Sequence, residues 1–196
     1  MNITAVVRSQ QGELMDQLTQ DDFEVLEDGV PQKIQFFARK TELPLSVGIL
    51  VDSSDSQKPF LKQHYRDLSI FLEQVLRPSD QAFVVCFDNH LWRVSNPTSS
   101  MLTISLSLQR FARGDRRVPE LGPHETRELG TALYDALYFS VTEKLDRAGE
   151  RCRALLVFSD GEENSSEHDL LDAIAVAQQT NTLIYSIRYT HQERGA

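Results

Sequence analysis

The sequence predicts an α/β domain with a doubly wound, mostly parallel sheet and one antiparallel edge strand, preceded by a small N-terminal β-hairpin module. Apolar runs of strand length alternate with amphipathic segments of helical length, an order that gives parallel strands joined by right-handed helical crossovers. The strand-like runs lie at 45–51, 82–87, 153–159 and 183–188. They are mainly continuous runs of apolar residues rather than alternating ones, as expected of strands covered by helices on both faces.

Residues 1–43 predict β structure without helical crossovers, so we expect an N-terminal β module and connector there and the main domain at 44–196. Asp28-Gly29 is a strong signal for a tight hairpin turn. One helical turn is predicted at 19–22. The predicted strands are Asn2–Arg8, Phe23–Glu27 and Pro31–Ala38. An N-terminal extension of the main sheet is the alternative.

The main domain has helical spacing of apolar residues between its strands. The predicted helices are 59–76, 99–112, 131–145 and 167–179. Asp88-Asn89 predicts a turn into the antiparallel edge strand Leu91–Val94. A sheet whose chain direction reverses beside the first strand places the strands at 45–51 and 153–159 next to each other.

The bulk composition limits the function classes. The chain has 196 residues, 40% of them apolar, and a net charge of -9, which argues against general binding to nucleic acid or an anionic membrane. It contains no apolar stretch long enough for direct membrane insertion and no signal peptide. The sequence therefore does not indicate the cell compartment. We expect that Met1 replaces a longer leader. Cys86 and Cys152 lack zinc-site spacing, and we expect free, buried thiols.

Three oxygen-bearing side chains at alternate positions follow the first central strand: Asp52, Ser54 and Ser56. The carboxyl end of such a strand is where open α/β sheets bind ligands. Once the chain turns beyond that end, these side chains can converge on a hard cation. Asp and Ser are also ordinary turn and capping residues, so a polar loop that caps the next helix is the alternative.

Two further residues strengthen the cation hypothesis. Asp160 follows the strand at 153–159, and Thr131 begins a helical pattern. Adjacent strand ends would bring Asp52 and Asp160 to about one strand spacing of 4.8 Å, where two carboxylates repel unless a cation or protons lie between them. Oxygen ligands without Cys or a His cluster favour Mg²⁺ or Mn²⁺ over zinc. Asp88 also follows an apolar strand, but its position predicts a turn former.

These residues together resemble the metal ion-dependent adhesion site of the von Willebrand factor A (VWA) domain, a Rossmann-like fold with the pattern Asp-x-Ser-x-Ser, a distant Thr and a distant Asp. The matching positions are Asp52, Ser54, Ser56, Thr131 and Asp160. The segment Asp22–Gln32, Asp-Phe-Glu-Val-Leu-Glu-Asp-Gly-Val-Pro-Gln, is similar to one that precedes the domain in a bacterial branch of the family.

The resemblance implies a function as well as a fold. Ser54, Ser56 and Thr131 would bind the metal directly or through water, while Asp52 and Asp160 would often act through water. One coordination place would stay open for an acidic side chain, Glu or Asp, of a partner protein. The resemblance therefore implies an adhesion or interaction module, not an enzyme, in an extracellular or periplasmic setting.

The sequence also departs from the family pattern. Asp55 stands where the family often has Gly, which adds an acid beside the site. The chain ends at Ala196, one helix and one strand earlier than is usual in the family, which indicates either a truncated domain or a sheet edge left uncovered. A structural scaffold with an unused site and a magnesium-dependent phosphoryl-transfer enzyme are the alternatives. The charged loop 113–129 contains Arg113-Gly114-Asp115, a tripeptide recognised by some adhesion receptors, although chance also produces it.

Overall fold

The structure of the chain is a computed structural model that describes residues 3, 5–37, 43–123, 130–149 and 151–188. The chain divides into two units, Met1–Leu43 and Pro44–Ala196. The first unit carries the antiparallel pair β1 (Val25–Glu27) and β2 (Val30–Gln32). The second carries the main sheet and the α-helices of the described residues.

The main sheet has the strand order β5-β4-β3-β6-β7. Its strands are β3 (Leu45–Asp52), β4 (Gln81–Phe87), β5 (Leu91–Thr98), β6 (Cys152–Phe158) and β7 (Thr182–Ile187). β3 pairs in parallel with β4 and β6, β6 with β7, and only the β4–β5 pairing is antiparallel. The predicted fold class is confirmed, including the antiparallel edge strand and the adjacency of the strands that precede Asp52 and Asp160.

Helices cover both faces of this sheet, which explains why neither face of its central strands is lined by polar residues. The helices are α1 (Leu61–Val75), α2 (Met101–Ala112), α3 (Leu133–Ser140) and α4 (Leu170–Gln179). Val47, Ile49 and Val51 pack in a cluster with residues of α1 and α2, whereas Leu50 packs in a second cluster with residues of α3 and α4. The two layers hold β3 at the centre of the domain.

Gly48 marks the tightest point of the central strand. A Cβ atom at this position would lie 2.5 Å from Leu155 Cδ2 and 2.5 Å from Phe83 Cζ. Both neighbours are fully buried, so neither side chain has free space to move into. The absence of a side chain at Gly48 lets the neighbouring strands fill the core from either side.

Asp80 ties the beginning of β3 to the turn that precedes β4. Its carboxylate accepts hydrogen bonds from the backbone N–H of Leu45 at 2.7 Å and of Arg77 at 2.9 Å. Arg77 Nε adds a bond of 3.2 Å. Because this anchor fixes the amino ends of β3 and β4, it also sets the level of their carboxyl ends, where Asp52 pairs with Phe87.

The N-terminal unit confirms the turn but not all the strands. Asp28 and Gly29 have φ values of 51° and 80°, as the predicted hairpin turn requires, and Gln20–Asp22 forms the helical turn. The strand predicted at Asn2–Arg8 is wrong for its described residues, since only Arg8 pairs, in an isolated bridge with Leu14. The other two predicted strands are shorter than expected.

These shorter strands have a physical cause. Pro31 lies in β2 and has no N–H to donate, and the ribbon has no third strand in its described sheet, so pairing extends little beyond the turn. Residues 33–37 line a cavity of about 550 Å³ instead. The remaining lining residues are Ile3, Ala5, Phe23, Val25, Glu27 and Gln32. Ala38 lies outside the described residues.

Element boundaries in the main domain also differ from the predictions. β5 extends to Thr98 with register irregularities near Val84. The helix predicted at 131–145 is α3 followed by a π-helical turn at Val141–Leu145, and the one predicted at 167–179 begins only at Leu170, where Asp169 caps it. Part of the predicted loop, 124–129, lies outside the described residues. None of the helices in the described ranges is long and apolar enough to cross a membrane.

The cysteines match the prediction in part. Cys86 is buried in β4, and Cys152 begins β6 on the far side of β3, so the two do not form a disulfide. The expected burial of Cys152 is wrong, because this first residue of β6 is only partly covered. Burial raises the pKa of the Cys86 thiol to about 12.

Replacing Asp80 with Ala is predicted to destabilise the domain by about 1–3 kcal/mol at neutral pH, because the backbone N–H groups of Leu45 and Arg77 lose their buried acceptor. Burial alone would raise the pKa of Asp80, but the bonds from Leu45 and Arg77 outweigh it and lower that pKa. Stability from this carboxylate is therefore present above about pH 4 and is lost as the pH falls through the lowered folded-state pKa. Urea unfolding of the parent and Asp80→Ala proteins should be measured at neutral pH and at a pH below the lowered pKa of Asp80. The difference in the free energy of unfolding between the two proteins should be smaller at the acid pH.

The exposed Asp146 supplies a matched control. Asp146→Asn should change the free energy of unfolding by no more than about 0.5 kcal/mol. An Asp80→Ala protein as stable as the parent at neutral pH would contradict the anchoring role.

Candidate metal centre

The candidate metal centre begins where β3 ends. Asp52 is the last residue of β3 and is fully buried. Its Oδ1 accepts hydrogen bonds from the backbone N–H of Ser54 at 3.0 Å and from Ser54 Oγ at 2.5 Å. A carboxylate that bonds the backbone two residues ahead forms a local turn, which bends the chain immediately after the strand. The bend takes the residues that follow out of the alternating geometry of a strand.

The turn brings residues from distant parts of the chain together. Ser54 Oγ lies 3.2 Å from Ser56 Oγ, and Ser56 Oγ donates to Asp160 Oδ2 at 2.9 Å. Asp160 follows β6, the parallel neighbour of β3. Asp52, Ser54, Ser56 and Asp160 therefore form one continuous path of polar contacts at the carboxyl edge of the sheet, in which each serine donates to one carboxylate and the two serine oxygens lie side by side.

The fifth predicted residue, Thr131, lies at the same edge and is 3% exposed. The next residue, Ala132, donates its N–H to the carbonyl of Asp88 at 2.8 Å, and Asp88 directly follows β4. The N–H of Thr131 donates to the side-chain Oδ1 of Asn164, and the N–H of Asn164 donates to the Thr131 carbonyl; Asn164 lies in the segment after Asp160. These contacts place the backbone of Thr131 among the loops that follow β4 and β6.

Asp88 makes the bonds of a turn residue. Its Oδ1 accepts the N–H of His90 at 2.7 Å, and its N–H donates to the His90 carbonyl at 3.0 Å. Its other oxygen lies 3.4 Å from Ser53 Oγ. Asp88 thus closes the β4–β5 hairpin and borders the loop after β3.

Two contributors to the site were missed by the sequence reasoning. Ser159 Oγ donates to Asp52 Oδ2 at 2.6 Å, so both oxygens of the buried carboxylate are occupied. Gln57 is 1% exposed and donates from Nε2 to Asp160 Oδ2 at 2.7 Å, while its buried Oε1 has no hydrogen-bond partner among the residues that the structure describes. The parallel register of β3 and β6 was the available signal for Ser159, which follows the partner of Val51.

The two carboxylates differ in their electrostatic environment. Burial raises the pKa of Asp52, and the nearby charge of Asp160 adds to that rise, although the hydroxyls of Ser159 and Ser54 oppose it. Partial burial also acts to raise the pKa of Asp160, but hydrogen bonds from Glu162, Ser56 and Gln57 outweigh it and lower that pKa. A buried carboxylate beside a second carboxylate is the arrangement that a bound cation stabilises.

The donor set fits a hard divalent ion. Along the path of polar contacts, Asp52 and Asp160 supply carboxylates, and Ser54 and Ser56 supply hydroxyls. Thr131 lies at the same edge of the sheet. Mg²⁺ and Mn²⁺ prefer such oxygen ligands. Within the described ranges, no group of three or more His, Cys, Asp or Glu side chains could hold a metal. A metal here would therefore depend on the hydroxyls.

Asp55 does not add a third carboxylate to the path in this structure. Its side chain is 92% exposed and forms an ion pair with Lys58. The tripeptide Arg113-Gly114-Asp115 is likewise engaged within its own loop, since Asp115 accepts a bond of 3.1 Å from Arg117 Nε. The 113–115 segment thus has an internal partner for its carboxylate.

Comparison with known proteins gave likenesses to solved structures only. No family model matches the chain, and no curated protein matches it. The conserved hypothetical protein BatB from Bacteroides thetaiotaomicron is 21% identical with a TM-score of 0.55, over 74% of this chain and 66% of BatB. An aerotolerance-related membrane protein from Bacteroides fragilis is 20% identical with a TM-score of 0.52, over 74% of this chain and 67% of that chain.

A third similar structure is proximal thread matrix protein 1 from the mussel byssus, described with a zinc-occupied MIDAS motif, the metal ion-dependent adhesion site. It is 15% identical with a TM-score of 0.54, over 73% of this chain and 35% of that protein. The chain thus spans between about a third and two thirds of the length of these proteins. At such identities the likeness shows the fold, and the fold of this chain is that of a VWA-like domain.

Proposed function

We propose that the chain is a metal-dependent protein-binding module, of the adhesion or interaction kind, that uses Mg²⁺ or Mn²⁺ to capture a Glu or Asp side chain of another protein. The observation that carries the proposal is the continuous path Asp52–Ser54–Ser56–Asp160 at one end of the sheet. The zinc-occupied MIDAS named for a protein of similar fold supports a divalent ion at this edge. An all-oxygen donor set favours Mg²⁺ or Mn²⁺ over zinc here.

The hydroxyls and carboxylates have different roles in this proposal. Ser54 donates its proton to Asp52 and Ser56 donates to Asp160, so each serine oxygen keeps lone pairs that can bind a cation. The Thr131 hydroxyl adds a further ligand, and Asp52 and Asp160 mainly orient the serines and balance charge. A divalent ion held in this way supplies the positive charge that attracts a partner's carboxylate.

We also propose that the site is not catalytic. A serine nucleophile needs a base, and the described histidines have other surroundings: His90 contacts Glu120, His168 contacts Asp135, and His64 lies against Phe158. The serines of the path donate to carboxylates that serve as proposed metal partners. A structural scaffold with an unused site and a magnesium-dependent phosphoryl-transfer enzyme remain the alternatives.

The proposed partner is a protein rather than nucleic acid or a membrane. The net charge of -9 opposes phosphate-rich surfaces, so a metal ion is the natural means of binding an acidic group. An extracellular or periplasmic setting remains a prediction. It is supported by the fold similarity to the protein described as an aerotolerance-related membrane protein.

Isothermal titration calorimetry is predicted to detect Mn²⁺ and Mg²⁺ binding to the parent chain. Ser56→Ala removes a proposed ligand and Asp160→Asn weakens the acceptor that orients it, so each should lower the affinity by at least roughly 10- to 100-fold, the usual cost of losing a metal ligand's supporting partner. The physical reason is that each change interrupts the path between the two carboxylates.

Ser69→Ala provides a matched control for Ser56→Ala. Ser69 lies in the middle of α1, away from the carboxyl edge, and donates to the Tyr65 carbonyl at 2.9 Å, so its replacement should leave the metal affinity unchanged. Metal binding that survives Ser56→Ala and Asp160→Asn at full strength would place the ion elsewhere.

The capture of an acidic group can be tested with a small probe. N-acetylglutamate amide, added to the Mg²⁺-loaded chain, should shift the NMR signals of backbone amides near Ser54, Ser56 and Thr131. N-acetylglutamine amide should not, because it lacks the charge that the ion attracts, and a chelator should abolish the effect. Equal shifts from both probes would argue against a metal-bridged carboxylate and favour the scaffold alternative.

Catalysis is tested separately with phosphatase and esterase substrates in the presence of Mg²⁺. We expect no turnover above the level given by Asp52→Ala. Turnover by the parent chain that Asp52→Ala abolishes would overturn the binding-module proposal.

A further inference from the structure

Helix α3, which begins just after Thr131, lacks a local N-terminal cap. The residue at the N-cap position is Ala132, which has no side-chain acceptor. The first N–H groups of a helix have no partner within the helix, so buried ones need acceptors from elsewhere.

The segment Glu163–Ser166, here termed the trans-cap segment, lies in the loop after β6 and supplies acceptors for two N–H groups of the first turn of α3 and for the N–H of the residue before the N-cap. Asn164 Oδ1 accepts the N–H of Thr131 at 2.7 Å. Glu163 Oε2 accepts the N–H of Tyr134 at 2.9 Å, and Ser166 Oγ accepts the N–H of Asp135 at 3.0 Å.

Thr131 is held on both sides of its backbone by Asn164. In addition to the bond from the Thr131 N–H, the N–H of Asn164 donates to the Thr131 carbonyl at 3.1 Å. Two bonds between the same pair of residues restrict both the position and the tilt of the Thr131 backbone. The direction of its side chain depends on that backbone.

The trans-cap segment is itself tied down at both ends. Glu163 Oε1 accepts the N–H groups of Ser165 and Ser166, each at 2.9 Å. On the far side, the fully buried carboxylate of Asp135 accepts the N–H of His168 at 3.0 Å and lies 2.7 Å from His168 Nδ1. The segment therefore presents fixed acceptors to α3 rather than a loose loop.

Gly130 permits this close approach. A Cβ atom at Gly130 would lie 2.3 Å from Asn164 Oδ1 and 2.9 Å from Ser165 Cβ, which is closer than atoms can pack. The residue before the proposed ligand Thr131 must therefore lack a side chain if Asn164 is to reach the Thr131 amide.

The trans-cap segment connects two proposed ligands. Asn164 follows Asp160 by only a few residues, and Gly161 N–H and Glu162 N–H are held by Ser159 Oγ at 3.0 Å and Asp160 Oδ1 at 3.1 Å. One short stretch thus carries Asp160 at its start and fixes Thr131 at its end.

We propose that Asn164 is a positioning residue of the metal centre, which sets the location of the Thr131 hydroxyl relative to Asp160 through two bonds to the Thr131 backbone, one from its side-chain Oδ1 and one from its own N–H. This proposal rests on the proposed function. It adds a requirement beyond the five predicted residues, because Thr131 would bind the ion weakly if its backbone were free to shift.

The experiment measures Mn²⁺ affinity by calorimetry and, in the metal-free protein, the hydrogen-exchange rate of the Thr131 amide by NMR. Asn164→Ala removes the acceptor and should lower the affinity by about 10- to 100-fold while it speeds exchange of the Thr131 amide. Asn164→Asp keeps an acceptor at the same distance and should restore most of both properties.

Asn164→Gln and an Asn96→Ala control complete the set. Gln keeps the amide but moves it by one methylene, so it should weaken Mn²⁺ binding in a chain that still folds even if the Ala variant does not. Asn96 is exposed on β5, near the opposite end of the sheet, and its replacement should change neither readout.

The outcomes separate the two proposals. If the parent chain binds no Mn²⁺, the proposed function fails and this proposal fails with it. If the parent chain binds Mn²⁺ but Asn164→Ala and Asn164→Gln bind it equally well, Asn164 is only a structural cap and this proposal alone is overturned. Unchanged exchange of the Thr131 amide in the Ala variant would likewise overturn it.

Discussion

The burial of the Asp52 carboxylate at the end of the central strand is the constraint on which the rest of the site depends. A carboxylate with no exposed surface has lost its hydration, and the loss is tolerated only if other groups bond to it. Ser54 and Ser159 provide those bonds from the adjacent loop and the adjacent strand end. The need to satisfy Asp52 therefore bends the chain after β3 and fixes its position against the end of β6.

That constraint acts through the geometry of the sheet. The parallel pairing of β3 with β6 brings Asp160 level with the loop after Asp52, although the two residues are far apart in sequence. The Asp80 anchor and the tight contacts around Gly48 hold β3 in register with its neighbours. A shift of register would move Asp52 away from Ser159 and leave a buried charge without its hydrogen bonds.

Much of this arrangement could be predicted from the sequence because it depends on strong local signals. The apolar runs specified the strands, and the position of Asp52 and Asp160 after two of them specified a common edge once the strands were taken as neighbours. The hairpin at Asp28-Gly29 was similarly readable, since few residues adopt positive φ. The strand prediction at Asn2–Arg8 failed for its described residues, because alternating apolar residues do not reveal whether a pairing partner exists.

The contacts that the sequence did not reveal are those made between distant side chains and backbone. Gln57 and Ser159 are ordinary polar residues in the sequence, and only the register of β3 and β6 brings them to the two carboxylates. The late start of α4 has a local cause that the spacing of apolar residues does not show. Asp169 accepts the N–H groups of Leu171 and Asp172 and so caps the helix at that point.

The same principle distinguishes a collection of oxygen ligands from an organised site. The Asp-x-Ser-x-Ser segment forms its turn from local contacts, because the carboxylate of Asp52 accepts the backbone N–H of Ser54. Thr131 has no equivalent local device, since it precedes a helix whose N-cap is an alanine. Its backbone is held from outside, by Asn164 across the gap that Gly130 leaves open. The part of the site nearest in sequence to Asp52 is therefore self-organised, whereas the part at Thr131 depends on the loop that begins at Asp160.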